Sequence, residues 1–159
     1  LEIYNITTIA NIYYEQKEAS NENLISQNYY IHKIGADLEL TKNLENFKPS
    51  FMISVYEKEN KLSIQKLTAL KLSARASLNL NNGIFIRGNF MFYKAKYNDI
   101  TNSQVSYQML EGLNPGNGLK WEQSITKNIR KLEISFKYSG EINSDNKIHY
   151  GQIELKKYF

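Results

Sequence analysis

With 159 residues the chain fits one domain, and 20 Lys and Arg against 16 Asp and Glu leave a net charge of +4 that is spread along the sequence. A helical membrane protein is excluded, because no uninterrupted apolar run approaches the roughly 18 residues that a spanning helix needs. The absence of Cys excludes disulfides and thiolate metal sites. No basic patch interleaved with aromatic residues indicates a nucleic-acid partner.

Turn-forming clusters recur along the chain, while helix signals are scarce. Seven interruptions lie at 19–23, 42–46, 57–61, 81–83, 98–103, 126–128 and 143–146. They predict eight strands, approximately over residues 2–16, 27–41, 47–57, 62–80, 84–97, 105–126, 130–142 and 147–159.

Apolar and polar residues alternate within these segments, as in strands with one apolar and one polar face. In the seventh strand, for example, Leu132, Ile134 and Phe136 alternate with Glu133 and Ser135. Most segments also reach the roughly 9 to 11 residues that cross a bilayer, whereas an average soluble strand has about 5 to 6. Period and length together predict an all-β, antiparallel up-and-down transmembrane β-barrel of eight strands over residues 1–159.

The polar face would then point into the lumen, where charged side chains fill a small barrel and pair with one another. The predicted lumen charge network comprises Lys33, Asp37, Glu39, Lys71, Arg75, Arg87, Glu133 and Lys137. A soluble, lipocalin-like ligand-binding barrel with reversed faces is a further alternative.

Every second turn belongs to a set that is on average longer and richer in Asn, Ser, Asp and Glu, which is typical of outer-membrane barrels with short periplasmic turns and longer outer loops. With a periplasmic C-terminus, 42–46, 81–83 and 126–128 fall inside, and 17–26, 57–61, 98–104 and 143–146 fall outside. Amphipathic rings suit membrane interfaces at the strand ends. The predicted rings are Tyr13, Tyr14, Tyr29, Tyr30, Tyr56, Tyr93, Tyr97, Tyr107 and Tyr138 outside, and Phe47, Tyr158 and Phe159 inside.

The last strand, 147–159, carries Gly151, Ile153, Leu155 and Phe159 on one face. It resembles the β-signal of outer-membrane proteins, a terminal strand with alternate apolar residues and a final aromatic residue. The resemblance implies capture by the barrel assembly machinery, which pairs with the edge of that strand. Lys157 departs from the usual apolar residue, although a Lys there can snorkel.

The stretch YQMLEGLNPGNGLKWEQ, residues 107–123, resembles a segment near the C-terminus of large outer-membrane proteins of Bacteroidota. The resemblance covers residues 105–159 and implies that the chain forms the C-terminal barrel part of a larger protein. Gly and Pro favour a bulge or an extended outer hairpin in the sixth strand. A lumen-folded segment or a docking surface is the alternative. The candidate docking residues are Met109, Leu110, Gly112, Pro115 and Trp121.

Few residues suggest chemistry. His32 and His149 are the two histidines, and neither has the carboxylate cluster that a metal site or a hydrolytic triad needs. We therefore expect no cofactor, no metal and no enzymatic activity. The expected function is a membrane anchor or docking component of a cell-envelope assembly, in contact with outer-membrane lipid and lipopolysaccharide, and with other envelope proteins as further partners. A barrel enzyme acting on lipid or peptide, with a histidine as base, is the alternative.

Overall fold

The structure, a computed structural model, describes residues 6–24, 27–99, 102–144 and 146–158. Eight strands form one antiparallel sheet, in which each strand pairs with the next along the chain. The prediction of an all-β, eight-stranded antiparallel meander is confirmed. The elements are β1 (Ile6–Ala19), β2 (Tyr29–Lys42), β3 (Phe47–Asn60), β4 (Lys66–Leu80), β5 (Ile84–Tyr97), α1 (Gln104–Leu110), β6 (Gly116–Ile129), β7 (Leu132–Asn143) and β8 (Lys147–Lys157).

The connections separate the two ends of the sheet. One end, called here the short-turn end, carries the connections 43–46, 81–83 and 130–131. The other, called here the long-loop end, carries 20–28, 61–65, 98–115 and 144–146. Among the described residues, no helix has the length and apolar character required to span a membrane.

Two predicted turns were misplaced. Residues 57–60 of the predicted turn at 57–61 are the end of β3, because these polar residues alternate between the two faces of a strand that pairs with β2 as far as Asn60. The predicted turn at 126–128 belongs to β6, and the chain reverses at 130–131 instead. Arg130 supplies the left-handed backbone that this tight turn requires, with φ of 52°.

The predicted sixth strand over 105–126 was wrong in its first part. Residues 104–110 form α1, and β6 begins only at Gly116. Ser103 caps the helix: its Oγ accepts the Ser106 N–H at 3.0 Å, and the Ser103 N–H donates to the Ser106 Oγ at 2.9 Å. This reciprocal cap satisfies two amide donors that a helix start leaves unpaired.

The two faces of the sheet differ in chemistry, as the alternation predicted. Cross-strand partners share a face, so the register carries each face around all eight strands. One face is concave, since side chains from seven strands line a single cavity of about 720 Å³ near the short-turn end. Its lining includes Thr7 of β1, Glu39 of β2, Ser50 of β3, Arg75 of β4, Arg87 of β5, Ser124 of β6 and Lys137 of β7.

Candidate functional site

Residues 104–114, called here the inserted segment, lie on the concave face near the long-loop end. Met109 is 0% exposed, and Val105, Leu110 and Leu113 are also buried. They form the apolar core of the molecule with side chains of four strands, which are Ile31 of β2, Tyr56 of β3, Leu67 and Ala69 of β4, and Tyr93 and Ala95 of β5. Burial of this apolar surface is what holds a seven-residue helix that would not be stable alone.

Glu111 ends the helix and brings a carboxylate to three lysines. Its Oε1 lies 2.7 Å from the Lys58 Nζ and 3.6 Å from the Lys17 Nζ, and its Oε2 lies 3.6 Å from the Lys33 Nζ. The Lys58 side chain is 1% exposed, and its Nζ also donates to the Gln108 carbonyl oxygen at 2.9 Å. One carboxylate therefore compensates charges from β1, β2 and β3.

The backbone of Glu111 is left-handed, with φ of 49° and ψ of 44°. Glycine is the usual residue for this conformation at a helix C-terminus, and any residue with a Cβ is strained there. The Glu111 N–H still closes the helix by donating to the Tyr107 carbonyl oxygen at 3.1 Å. The side chain at this strained position forms ion pairs with lysines of three strands.

The pKa of Glu111 reflects two opposing effects. Burial raises it, whereas the hydrogen bond from Lys58 and the charges of Lys58, Lys33 and Lys17 lower it. The net pKa lies below the ordinary value of 4.5. The carboxylate is thus ionised at neutral pH and opposes the positive charge around it.

The other side of the inserted segment is held by β5, β6 and β7. Asn114 Nδ2 donates to Glu141 Oε1 at 2.8 Å, and the Tyr93 hydroxyl donates to the same oxygen at 2.8 Å. Lys120 forms an ion pair with Glu141 at 3.0 Å and donates to the Gly112 carbonyl oxygen. Together with its contacts to β1–β4, the segment spans the concave face from β1 to β7.

All eight residues of the predicted charge network lie on the concave face, in three different settings. Lys33 joins the Glu111 cluster, and Lys71 Nζ lies 4.8 Å above the Tyr56 ring. On β7, Lys137 pairs with Glu154 at 3.3 Å and Glu133 pairs with Lys156 at 3.6 Å. The remaining members line the large cavity or lie above it, and they are Asp37, Glu39, Arg75 and Arg87.

The candidate docking residues do not form one surface. Met109 and Leu110 are buried under the strands, so a partner could not reach them without displacing α1. Trp121 lies on the opposite, convex face of β6. Gly112 has φ of 76° and lies in the connection between α1 and β6, as does Pro115. The preferred prediction of a bulge or extended hairpin was wrong for this stretch, because four apolar side chains fold it onto the concave face.

Several tyrosines assigned to a membrane interface face inward instead. Tyr13, Tyr56, Tyr93 and Tyr97 lie on the concave face or pack on its core. Two of these rings fill space above glycines: the Tyr13 hydroxyl lies 2.6 Å from where a Cβ of Gly35 would be, and the Tyr93 hydroxyl lies closer still to where a Cβ of Gly118 would be. The prediction failed for these four because their rings pack in or against the apolar core beneath the inserted segment.

The convex face carries a continuous apolar belt. Every strand contributes at least one exposed large apolar side chain to it, and Ile12 of β1 and Ile153 of β8 are 87% and 72% exposed. Other members are Leu38, Phe51, Leu80, Phe92, Ile125 and Phe136. Gly151, Ile153 and Leu155 of the predicted β-signal share this face of β8, while Phe159 lies outside the described residues.

Charged residues border this belt at both ends. The convex face carries Lys42, Lys127 and Lys157 near the short-turn end. Near the long-loop end it carries Glu57, Glu59, Lys66, Lys94, Lys96 and Lys147. Between the two borders, no convex-face residue in the described strands is Asp, Glu, Lys or Arg.

Comparisons with protein-family models, with curated proteins and with solved structures found no match.

The two histidines lie on the convex face, each beside a tyrosine. His32 Nδ1 is 3.0 Å from the Tyr14 hydroxyl, and His149 Nδ1 is 2.6 Å from the Tyr138 hydroxyl. The Trp121 ring centroid lies 5.3 Å from that of His149. Within the described ranges, no group of three or more His, Asp or Glu residues is arranged to hold a metal ion.

The sequence-based network missed Glu111, Lys17, Lys58 and the Lys120–Glu141 pair. One signal could have identified Glu111, since it is the one charged residue between Asp99 and Lys120. A lone carboxylate in an uncharged, partly apolar stretch requires a cation when that stretch is buried.

Proposed function

We propose that the chain is a transmembrane β-barrel of a bacterial outer membrane and serves as a membrane anchor or docking component of a cell-envelope assembly. The observation that carries this proposal is the apolar convex belt between two charged borders. In water such a belt is unfavourable, because soluble monomers rarely expose contiguous apolar patches above a few hundred Å². In a bilayer the same belt faces hydrocarbon.

The concave face supports the same orientation. A soluble binding barrel places its apolar residues around an inward cavity, whereas here polar and charged side chains line most of the large cavity. The apolar residues of the inward side pack beneath the inserted segment. The described strands have 11 to 15 residues, which meets the length that a tilted spanning strand needs. Alternation, strand length and charged borders thus agree.

Closure of the sheet by pairing of β8 with β1 is part of the proposal. The two edges of the sheet are β1 and β8. Thr7 of β1 and Lys137 of β7 line the same cavity, so β8, which pairs with β7, would lie next to β1. A closed sheet leaves no unpaired edge in the lipid, where an unsatisfied backbone group costs several kcal/mol.

The orientation follows from the connections. The short-turn end would face the periplasm and the long-loop end the exterior, as in barrels of this class. Lipid and lipopolysaccharide would surround the belt, and the barrel assembly machinery would receive β8. Polar outer loops would be the surface available to other envelope proteins.

Membrane fractionation tests the proposal directly. The chain, expressed with an added secretion signal, should sediment with outer membranes, resist extraction by urea or carbonate, and require detergent for solubility. Recovery of the folded chain in the aqueous phase without detergent would overturn the membrane assignment and favour a soluble binding barrel.

Engineered disulfides test closure, because the chain contains no Cys. Cysteine pairs across the proposed seam, with Ala10→Cys or Thr8→Cys on β1 and Ile153→Cys on β8, should cross-link in the membrane. Phe136→Cys with Ile153→Cys is the matched positive control, since these residues are register partners. Ile53→Cys with Ile153→Cys should not react. A seam that reacts no faster than this last pair would refute closure.

The proposal assigns no reaction to the chain. Neither histidine lines the large cavity, so no imidazole base serves the concave face. Loss of a measured lipase or peptidase turnover on replacement of both His32 and His149 by Ala would contradict the anchoring role.

A further inference from the structure

The large cavity near the short-turn end contains cations that lack a carboxylate partner. Lys48, Arg75 and Arg87 line it, and none of the three forms an ion pair within the described part of the chain. The lysines under the inserted segment differ, because Glu111 and Glu141 compensate them. The cavity cations thus differ from Lys17, Lys33, Lys58 and Lys120, each of which has a carboxylate partner.

The register brings the three cations around one hydroxyl. Ser77 of β4 is the cross-strand partner of both Lys48 on β3 and Arg87 on β5, and Arg75 precedes it by two residues on the same face. Diagonal neighbours on one face of a sheet lie about 7–8 Å apart between Cα atoms. Two guanidinium groups and an ammonium can therefore contact one group seated over Ser77.

The cavity lining contains fewer carboxylates than unpaired cations. Glu39 and Glu122 also line it, while Lys137 lines it and is paired with Glu154. Three free cations against two carboxylates leave the lining positive, with the cations clustered on β3, β4 and β5.

We propose that this cavity binds a phosphate group, held by Arg75 and Arg87 through their guanidinium forks, with Lys48 and the Ser77 hydroxyl completing the site. Guanidinium groups match two oxygens of a phosphate at once. A volume of about 720 Å³ lies within the usual range of ligand pockets, so the phosphate can belong to a larger molecule.

Access to the cavity is one-sided. The inserted segment spans the concave face on the long-loop side, so the ligand enters from the short-turn end. This part rests on the proposed function, in which that end faces the periplasm. The hydrocarbon around a spanning sheet would strengthen the field, because low-dielectric walls focus the attraction of a charged cleft for its counter-ion.

Titration with inorganic phosphate and with pyrophosphate tests the site. The purified, folded chain in a nonionic detergent is titrated by calorimetry in a phosphate-free buffer at fixed ionic strength. We expect saturable binding with a 1:1 ratio, tighter for pyrophosphate. The double variant Arg75→Gln, Arg87→Gln should bind at least tenfold more weakly.

Lys94→Gln is the matched control, because it removes a positive charge from the convex face of β5, outside the cavity. Its affinity should equal that of the unmodified chain. Equal weakening in Lys94→Gln and in the double variant would overturn the proposal in favour of a bulk charge effect. The absence of saturable binding below about 10 mM phosphate, which corresponds to a binding free energy of under about 3 kcal/mol, would overturn it as well.

Arg87→Lys covers the case in which the double variant does not fold. It keeps the charge and loses the fork, so phosphate binding should weaken severalfold. Unchanged affinity would contradict the assigned role of Arg87. If the chain proves soluble without detergent, the same titration in buffer separates the two proposals. Binding there would keep the phosphate site while the membrane assignment fails.

Discussion

Replacement of Glu111 by Gln removes the carboxylate that Lys17, Lys33 and Lys58 share, while keeping the size of the side chain. Of the three lysines, Lys33 also pairs with Glu15 at 3.3 Å. The amide can still accept one hydrogen bond from Lys58. It cannot compensate the charge of an ammonium whose side chain is 1% exposed. We therefore expect the inserted segment to separate more easily from the concave face.

The magnitude follows from the geometry. Removing one partner of a buried ion pair costs about 3–5 kcal/mol, because the remaining charge stays uncompensated. Glu111 is 25% exposed, and two of its three ion pairs are longer than 3.5 Å. Both facts weaken the effect, so we expect about 2 kcal/mol. Since every 1.4 kcal/mol is a factor of ten, local opening should become roughly 30 times more frequent.

Hydrogen exchange of peptides covering residues 104–114 measures that opening. Their helix amides are protected by bonds such as that from Glu111 N–H to the Tyr107 carbonyl. Glu57→Gln is the matched control, since Glu57 is exposed on the convex face of β3. A second change, Lys58→Met, should restore part of the protection in the Glu111→Gln background by removing the buried charge. Equal exchange in the two Glu variants, or no recovery with Lys58→Met, would refute the reasoning.

Three further predictions concern acid, packing on the convex face and packing of the helix. Because the folded-state pKa of Glu111 lies below 4.5, the stability that its ion pairs contribute is complete above about pH 4.5 and is lost as the pH falls through the lower folded value. Exchange protection of residues 104–114, corrected for intrinsic rates, should therefore fall in acid. Glu111→Gln should flatten that dependence on pH. Gly140→Ala should lower the urea midpoint by the equivalent of about 1–3 kcal/mol, because its Cβ would collide with the Trp121 ring and lie 2.8 Å from the Ile148 carbonyl oxygen. A Cβ at Gly151 meets nothing within 4 Å, so Gly151→Ala should change the midpoint little. Equal shifts in the two variants would contradict the packing described for Gly140. Met109→Ala should destabilise docking of the inserted segment by about 2–5 kcal/mol, and Tyr107→Ala, at a side chain 70% exposed on the same helix, should leave the exchange of that segment near its original rate.

The meander could be predicted from the sequence because each strand has one apolar and one polar face. That alternation is a property of neighbouring residues, so it can be recognised without knowledge of the tertiary structure. The fifth strand was predicted with the bounds that the structure gives, since 81–83 and 98–103 are strong turn signals on both sides.

The inserted segment could not be predicted in the same way. Its two-turn helix carries apolar residues that are buried only because β2–β5 provide a complementary surface, and the following Gly and Pro residues resemble a bent strand equally well. Of the proposed phosphate site, Arg75 and Arg87 were predicted from the sequence as inward charges, whereas Lys48 was not. The lack of ion-pair partners could not be predicted either, because pairing depends on which residues the register places side by side.

The Glu111 cluster also constrains the order in which the chain can fold. Its partners lie on β1, β2 and β3, while Asn114 and Gly112 are held from β6 and β7, so the contacts join distant parts of the sequence. Contacts of this kind form slowly, since the chain entropy of bringing remote segments together must be overcome first. A two-turn helix is not stable in water before it packs against the strands. We therefore expect its docking to follow assembly of both halves of the meander, and protection of these few amides to report that β1–β7 have come together.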